Sequence, residues 1–444
     1  MQTPICDFVR AYAEKNPLRG HMPGHKGISR LGFEHLDITE IDGADSLYCA
    51  EGIIAESEKN AGKLFGAHTF YSTEGSSQCI RAMLYLAKLY AAQEHLPPKI
   101  AAARNAHQVF ITAAALLGME VDWLYSKTHC SYLSCPLQPE ELDAFLTDNS
   151  VSAVYVTSPD YLGNTLDLAA LAEVSHRHNC LFLVDNAHGA YLKFLEHSRH
   201  PMDLGADLCC DSAHKTLSAL TGAAYLHISY SAPAFLTSHA KQALSLFGST
   251  SPSYLILQSL DYLNSILSAD YKENLQDFAI KVQNLKDKLI GHGYILQGDE
   301  PLKITLSTKA YGYTGNDFSE ILKQKNLYTE FHDPDFAVLM LTPDHRDEDL
   351  RKIEEILLSV PKLPPIAISS PIFSLPKRVI SPGQALYAPS QIIGAEDSLG
   401  RTVAFSGVSC PPAVPIAVSG ERIDENVLSA FRYYSIDTVT VVIN

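Results

Sequence analysis

The sequence predicts an α/β protein: a major domain on a mostly parallel sheet, then a smaller α+β C-terminal region. Three observations predict this. Ala153-Val-Tyr-Val-Thr157 and Leu181-Phe-Leu-Val184 are short apolar runs that stop at polar residues, as parallel strands buried on both faces do. Residues 168–178, between them, have helical spacing, and strand, helix, strand at that separation is a βαβ unit. From Leu302 onward the order changes to strand, helix, strand, strand, helix, which describes a small α+β unit.

The elements follow in chain order. Residues 4–15 form a short amphipathic helix with Ile5, Phe8, Val9 and Tyr12 on one side. The run from Gly20 to Gly27 is too rich in Gly, Pro and His for a regular element, and an acidic loop with Glu40, Asp42 and Asp45 follows. Helices are predicted over 55–65, 76–91 and 109–117; the second carries a broad stripe of Ile80, Met83, Leu84, Leu86 and Ala87. Residues 206–210 and 223–228 are further strands. A Ser/Thr/Pro segment at 249 leads into a long helix, which 277–289 continues. Then come a strand at 302–306, a helix at 318–325, strands at 327–331 and 337–341, and a helix at 347–358. The proline-rich stretch 361–376 links to a last piece with its own strands. The expected division is an N-terminal arm with active-site loops (1–50), a major domain (51–268), a small α+β domain (269–362) and a C-terminal domain (363–444).

At 444 residues the chain is too long for one ordinary core. With 46% hydrophobic and 19% charged residues it is globular, not disordered. A formal charge of −16 speaks against gripping a phosphodiester backbone, so no nucleic-acid partner is expected. The acidic field either favours cationic ligands modestly or serves solubility alone. The nine cysteines form no disulfide or zinc framework: Cys130 and Cys135 stand apart from other ligand types, and Cys209 and Cys210 sit in an apolar run as buried thiols. The N-terminus carries charges where a signal peptide is apolar, and no run approaches the ~18–20 apolar residues of a membrane span. A cytoplasmic protein, with no membrane partner, is the expectation.

Four features carry chemistry. Thr73-Glu74-Gly75-Ser76-Ser77 stands at the mouth of a helix, where free N–H groups and the helix dipole favour an anion; an ordinary serine cap is the alternative. Asp185, in Asp185-Asn186-Ala187-His188-Gly189, ends an apolar strand, at the edge where open α/β sheets bind ligands. A carboxylate there can pair with a protonated pyridine nitrogen, or simply cap the next turn. Ser212-Ala213-His214-Lys215-Thr216 follows another strand; Lys215 is placed as an amine nucleophile toward an aldehyde, with Ser212 and His214 as phosphate donors, although a lone His-Lys pair is more often surface. His107, in Arg104-Asn105-Ala106-His107, can stack on a planar ring or make a structural bond at a helix start. Together they provide a phosphate cup, a ring platform, a pyridine partner and an imine-forming lysine, which is what pyridoxal 5′-phosphate requires.

On these residues the chain resembles the Orn/Lys/Arg decarboxylases in their short bacterial form, fold-type I enzymes that use pyridoxal phosphate. The matching motifs are Pro23-Gly24-His25-Lys26, Asp37-Ile38-Thr39-Glu40, Arg104 to His107, Asp185 to Gly189, Ser212 to Leu217, Ser249 to Tyr254, and later Gly400-Arg401 and Pro411-Pro412. The resemblance implies that Lys215 anchors the cofactor, Asp185 holds its ring nitrogen and His107 stacks on the ring. It also implies that Ser76, Ser77, Ser212 and His214 bind the phosphate, with Gly75 allowing close approach, and that His188 lies beside the ring. Ser249 and Thr250 are implied to reach a neighbouring subunit's phosphate in a homodimer or larger homo-oligomer. Lys215, His188 and His107 are the implied catalytic residues, and no metal is expected. Several positions depart from the family pattern: Glu74-Gly75-Ser76 for Asn-Gly-Thr, Asn186 for Glu, Gln108 for Lys, Thr221-Gly222 for Thr-Gln, and Cys410-Pro411-Pro412-Ala413 for Tyr-Pro-Pro-Gly.

The implied reaction is α-decarboxylation of lysine, ornithine or arginine to a polyamine or diamine, with Glu40, Asp42, Asp45 or Glu330 as candidates for the distal cation. The same cofactor also serves transamination or another lyase reaction, and a third possibility is a binding protein of this fold without turnover.

Overall fold

A computed structural model describes residues 1–126, 131–407 and 412–443. The chain divides into two compact units, Met1–Leu96 with Leu168–Leu275, and Pro97–Asp167 with Gln276–Asn444. Seven strands supply the α/β part: β1 (His68–Ser72), β2 (Lys99–Ala103), β3 (Glu120–Leu124), β4 (Ala153–Thr157), β5 (Leu181–Asp185), β6 (Leu208–Asp211) and β7 (Ala224–Ile228).

In the first unit the strand order is β1-β7-β6-β5. β5 and β6 are parallel, whereas β6/β7 and β7/β1 are antiparallel. The reversal has a local cause: the Ser212–Ala223 connection holds only the short helix Ala213–Thr216 and cannot make a parallel crossover. β5 and β7 are buried along their whole length; β5 is an apolar run up to Asp185, whereas β7 carries His227, whose two ring nitrogens are hydrogen-bonded within the core. The helix Pro4–Glu14 begins on a proline, and its free Ile5 and Cys6 N–H groups donate to Asp261 Oδ2 at 3.0 and 2.9 Å.

In the second unit β2 lies between β4 and β3, parallel to both. Two antiparallel sheets complete it. One has β8 (Leu296–Gln297), β9 (Lys303–Ser307), β10 (Phe331–His332) and β11 (Phe336–Met340), in the order β10-β11-β9-β8; the other has β12 (Ser390–Gly394), β13 (Val403–Phe405) and β14 (Thr438–Val442), in the order β12-β14-β13.

The α/β class holds, with three amendments. The strand expected at 327–331 shrinks to β10: Asn326 turns left-handed (φ 62°) and the Leu327 N–H closes back on Leu322 O, so this stretch is the exit of the Gly315–Gln324 helix. The long helix after 249 is two helices, Tyr254–Leu267 and Tyr271–His292, parted at the polar Ser268-Ala269-Asp270. The strand expected at 206–210 starts at Leu208, because the Ala206 N–H is taken by Pro201 O.

Candidate active site

Parallel pairing sets Asp185 beside Cys210, so β5 and β6 end side by side. The chain leaves them through two turns, one from Asp185 to Gly189 and one from Ser212 to Leu217. Their side chains meet again beyond the sheet, where Lys215 Nζ lies 2.9 Å from His188 Nε2. Asp185 is 3% exposed; its Oδ1 accepts the Ala187 N–H at 3.1 Å and the Cys210 thiol at 3.6 Å. Burial beside carboxylates pushes the Cys210 and Cys209 thiols well above the ordinary range, so both are inert packing groups.

The helix Gly75–Gln93 opens on Gly75 at φ +72°, where an added Cβ would meet nothing within 4 Å. Glycine is therefore required there by the backbone, not by crowding. Gly75 N–H donates to Gly222 O at 2.8 Å, and Ser212 Oγ donates to Ser76 Oγ at 2.8 Å, so hydroxyls from two elements converge at a helix N-terminus. Ser77, half-buried, follows on the same turn. His214 Nδ1 is committed to Ala223 O at 2.9 Å. Gly222 in place of a larger residue also has a reason: its φ is +97°, and a Cβ would come 2.9 Å from Thr73 O. The Glu74 carboxylate is turned to the backbone of the 249 segment, accepting the Ser249 N–H at 2.5 Å. Ser249 Oγ accepts the Ser251 N–H at 3.1 Å, and Ser249 and Thr250 are exposed.

The two N-terminal motifs join each other: His25 Nδ1 accepts the Gly27 N–H at 3.0 Å, leaving Nε2 to donate to Asp37 Oδ2 at 3.2 Å. Of the acidic candidates, Asp45 spends its carboxylate on the N–H groups of Ser46, Glu51, Gly52 and Ile54. Burial opposes its ionisation, but these bonds prevail and lower its pKa. Glu40 and Asp42 are exposed, Glu40 accepting from the Thr39 hydroxyl at 2.7 Å.

In the second unit His107 caps the Gln108–Leu117 helix, its Nδ1 accepting the Val109 N–H at 3.1 Å. Arg104 is a buried clasp: its guanidinium donates to Pro415 O, Ile416 O and Glu421 Oε2 at 3.1, 3.0 and 3.2 Å. Glu330 is exposed and accepts from the Tyr161 hydroxyl at 3.3 Å. Cys130, Cys410 and Pro411 lie outside the described residues.

Three residues that sequence reasoning missed stand next to this site in the first unit: Asp211, His200 and His227, all fully buried. The available signal was an acid closing the apolar run Leu208-Cys209-Cys210.

These groups fit the cofactor inferred from the sequence. A helix N-terminus with converging hydroxyls, open space at Gly75, a buried carboxylate and a lysine amine stand on the exits of adjacent strands. The fold is that of the fold-type I pyridoxal phosphate enzymes. The Orn/Lys/Arg decarboxylase major domain matches residues 3–294, and the chain belongs to this family of amino-acid decarboxylases, which are carbon–carbon lyases. It is 29% identical to an arginine decarboxylase of Halalkalibacterium halodurans, over 97% of this chain and 93% of that protein. It is 26% identical to an arginine decarboxylase of Bacillus subtilis, again over 97% and 93%. The structure of the lysine decarboxylase LdcF of Francisella novicida superposes with a TM-score of 0.80 at 15% identity, covering 99% of this chain and 81% of that one.

Proposed function

We propose that the site holds pyridoxal 5′-phosphate and that the enzyme removes the α-carboxyl group of a basic amino acid, releasing carbon dioxide and a diamine or polyamine precursor. The carrying observation is the 2.9 Å approach of Lys215 Nζ to His188 Nε2 at the exits of two parallel strands. Within the basic substrates, the names of the two curated relatives favour arginine over lysine and ornithine.

The bound cofactor supplies an electron sink for the pair left on Cα when the carboxyl group departs. The protein does the rest. Lys215 anchors the cofactor through Nζ, and the Asp185 carboxylate holds the proton on the ring nitrogen. Ser76, Ser77, Ser212 and His214 bind the phosphate at the helix N-terminus, and His107 gives the ring a platform. Lys215 Nζ or His188 Nε2 returns a proton to Cα. Asp45 is an unsuitable partner for the distal cation, since its carboxylate is already surrounded by backbone N–H groups. Glu40, Asp42 and Glu330 remain as candidates.

The working unit in this reading is a cytoplasmic homodimer or larger homo-oligomer in which Ser249 and Thr250 reach the partner's phosphate. Exposed Leu18, Met22, Ile28 and Leu31 on the N-terminal arm support a partner surface. Among the described residues no helix is long and apolar enough to cross a membrane. The test is to incubate the pyridoxal-phosphate-loaded protein with L-arginine, L-lysine and L-ornithine and to measure carbon dioxide and the matching amine. Release from one of them is expected; release from none overturns the reading.

A further inference from the structure

Behind the two turns, a line of side-chain hydrogen bonds crosses the strands. Thr69 of β1 meets His227 Nδ1 at 2.9 Å, and His227 Nε2 lies 3.1 Å from Asp211 Oδ2 at the end of β6. His200 Nε2 reaches the same Oδ2 at 2.9 Å. Asp211 Oδ1 accepts from Asn186 Nδ2 at 2.6 Å, just past the last paired register of β5 and β6. Asn186 follows Asp185, and Asp211 precedes Ser212. The Asn186–Asp211 bond therefore clasps the two turns that carry Asp185, His188 and Lys215.

His200, Asp211 and Cys209 place ligand atoms within 4.8 Å of one another, a spacing that suits a metal ion. The hydrogen bonding points elsewhere. His200 Nδ1 accepts the Met202 N–H at 3.3 Å, which puts the ring proton on Nε2, facing Asp211. A metal on Nε2 would leave that ring with no proton at all. His227 is held the same way: burial lowers its pKa, so the ring takes the Thr69 hydroxyl on Nδ1 and donates from Nε2. Burial opposes the charge on Asp211, but the two imidazoles outweigh it and hold the carboxyl well below the usual range. Asp211 is thus an ionised carboxylate, 0% exposed, with donors on both oxygens.

We propose that Asp211 is a positioning residue, which fixes the Asp185 turn against the Lys215 turn by holding Asn186 from a carboxylate that is itself anchored by His200 and His227. This deepens the proposed function and rests on the cofactor binding at these turns. The departure of Asn186 from the family's glutamate follows directly: an acid at both positions would set two carboxylates 2.6 Å apart, whereas an amide donates.

The experiment uses the full-length protein and pyridoxal phosphate as the probe. Asn186→Ala removes the clasp and leaves the imidazole pair intact; Asp211→Asn removes the charge. Three readouts apply: the cofactor dissociation constant, the visible circular dichroism of the bound cofactor, which reports ring orientation, and far-UV circular dichroism for folding. For Asn186→Ala the dissociation constant is expected to rise about tenfold, as for loss of one hydrogen bond to a charged group, with an altered visible band and native far-UV signal. His200→Gln, which keeps a donor near Nε2, should behave like wild type, and His200→Leu like Asn186→Ala. If Asp211→Asn does not fold, Asn186→Ala decides alone. Wild-type affinity and an unchanged visible band in Asn186→Ala overturn the positioning role. Failure of the wild-type protein to bind pyridoxal phosphate overturns the proposed function instead, so the two outcomes are distinct.

Discussion

Arg104 Nη2 donates to Glu421 Oε2 at 3.2 Å, joining positions 317 residues apart, with each side chain 1% exposed. The guanidinium also takes the Pro415 and Ile416 carbonyls and lies 5.0 Å from the Trp123 ring centroid. It thereby ties the exit of β2, which leads to His107, to residues 415–421. Removing one member of a buried pair leaves the other charged and unpaired. Glu421→Ala should therefore cost about 3–5 kcal/mol of stability, measured by urea unfolding. Glu421→Gln keeps a carbonyl acceptor for Arg104 and should cost clearly less. Equal stability of Glu421→Ala and wild type would show that the pair does not hold this region.

Glu34 makes a pH-dependent prediction for the N-terminal arm. Its carboxylate gathers the N–H groups of Arg30, Leu31, Gly32 and Phe33 at 2.9, 2.7, 3.1 and 3.2 Å. Burial works against the charge, but these backbone donors prevail and lower the pKa from 4.5 to about 2. A depressed acid stabilises the folded loop above its ordinary pKa. That contribution is lost as pH falls from 4.5 through about 2. Hydrogen exchange across residues 30–36, corrected for intrinsic rates, should show the loop opening over this window in wild type. In Glu34→Gln the opening should already be present at neutral pH and change little with acid. The same pH profile in both proteins would remove Glu34 as the cause.

The distance between what the sequence shows and what it conceals follows the range of the interactions. β4 is legible residue for residue because Ala153-Val-Tyr-Val-Thr157 combines apolar side chains with β-branched and aromatic ones, which pack well on a buried sheet. β2, Lys-Ile-Ala-Ala-Ala, is concealed: alanine has no strand preference, and these residues form a strand only because parallel neighbours flank them. The motif turns at Asp185 and Lys215 announce themselves by local spacing. The Asp211 line does not, since its members come from positions 69, 186, 200, 211 and 227 and meet only through strand order. Glu74 shows the converse: an acid beside a phosphate cup looks misplaced in sequence, and the Ser249 N–H it accepts is a tertiary contact.

His188 offers the most direct probe of how Lys215 is poised. The imidazole Nε2 and the Lys215 amine are 2.9 Å apart, and the His188 side chain is carried on a turn that is 5% exposed at that residue. Gln can place a polar atom near the position of Nε2 but holds no titratable proton; Leu matches neither function. If His188 only orients Lys215, His188→Gln should retain activity and His188→Leu should lose it. If His188 also carries a proton to or from the reacting carbon, both should fall, by roughly 10²-fold in kcat, the lower range for general acid–base catalysis. The proton-carrying role predicts a further difference, because the pH–rate profile of kcat loses one limb in His188→Gln while KM stays near wild type. Cofactor occupancy, checked by absorbance in each variant, separates these effects from loss of pyridoxal phosphate. Wild-type kcat and an unchanged pH profile in both variants would exclude His188 from the chemistry and leave Lys215 to act without it.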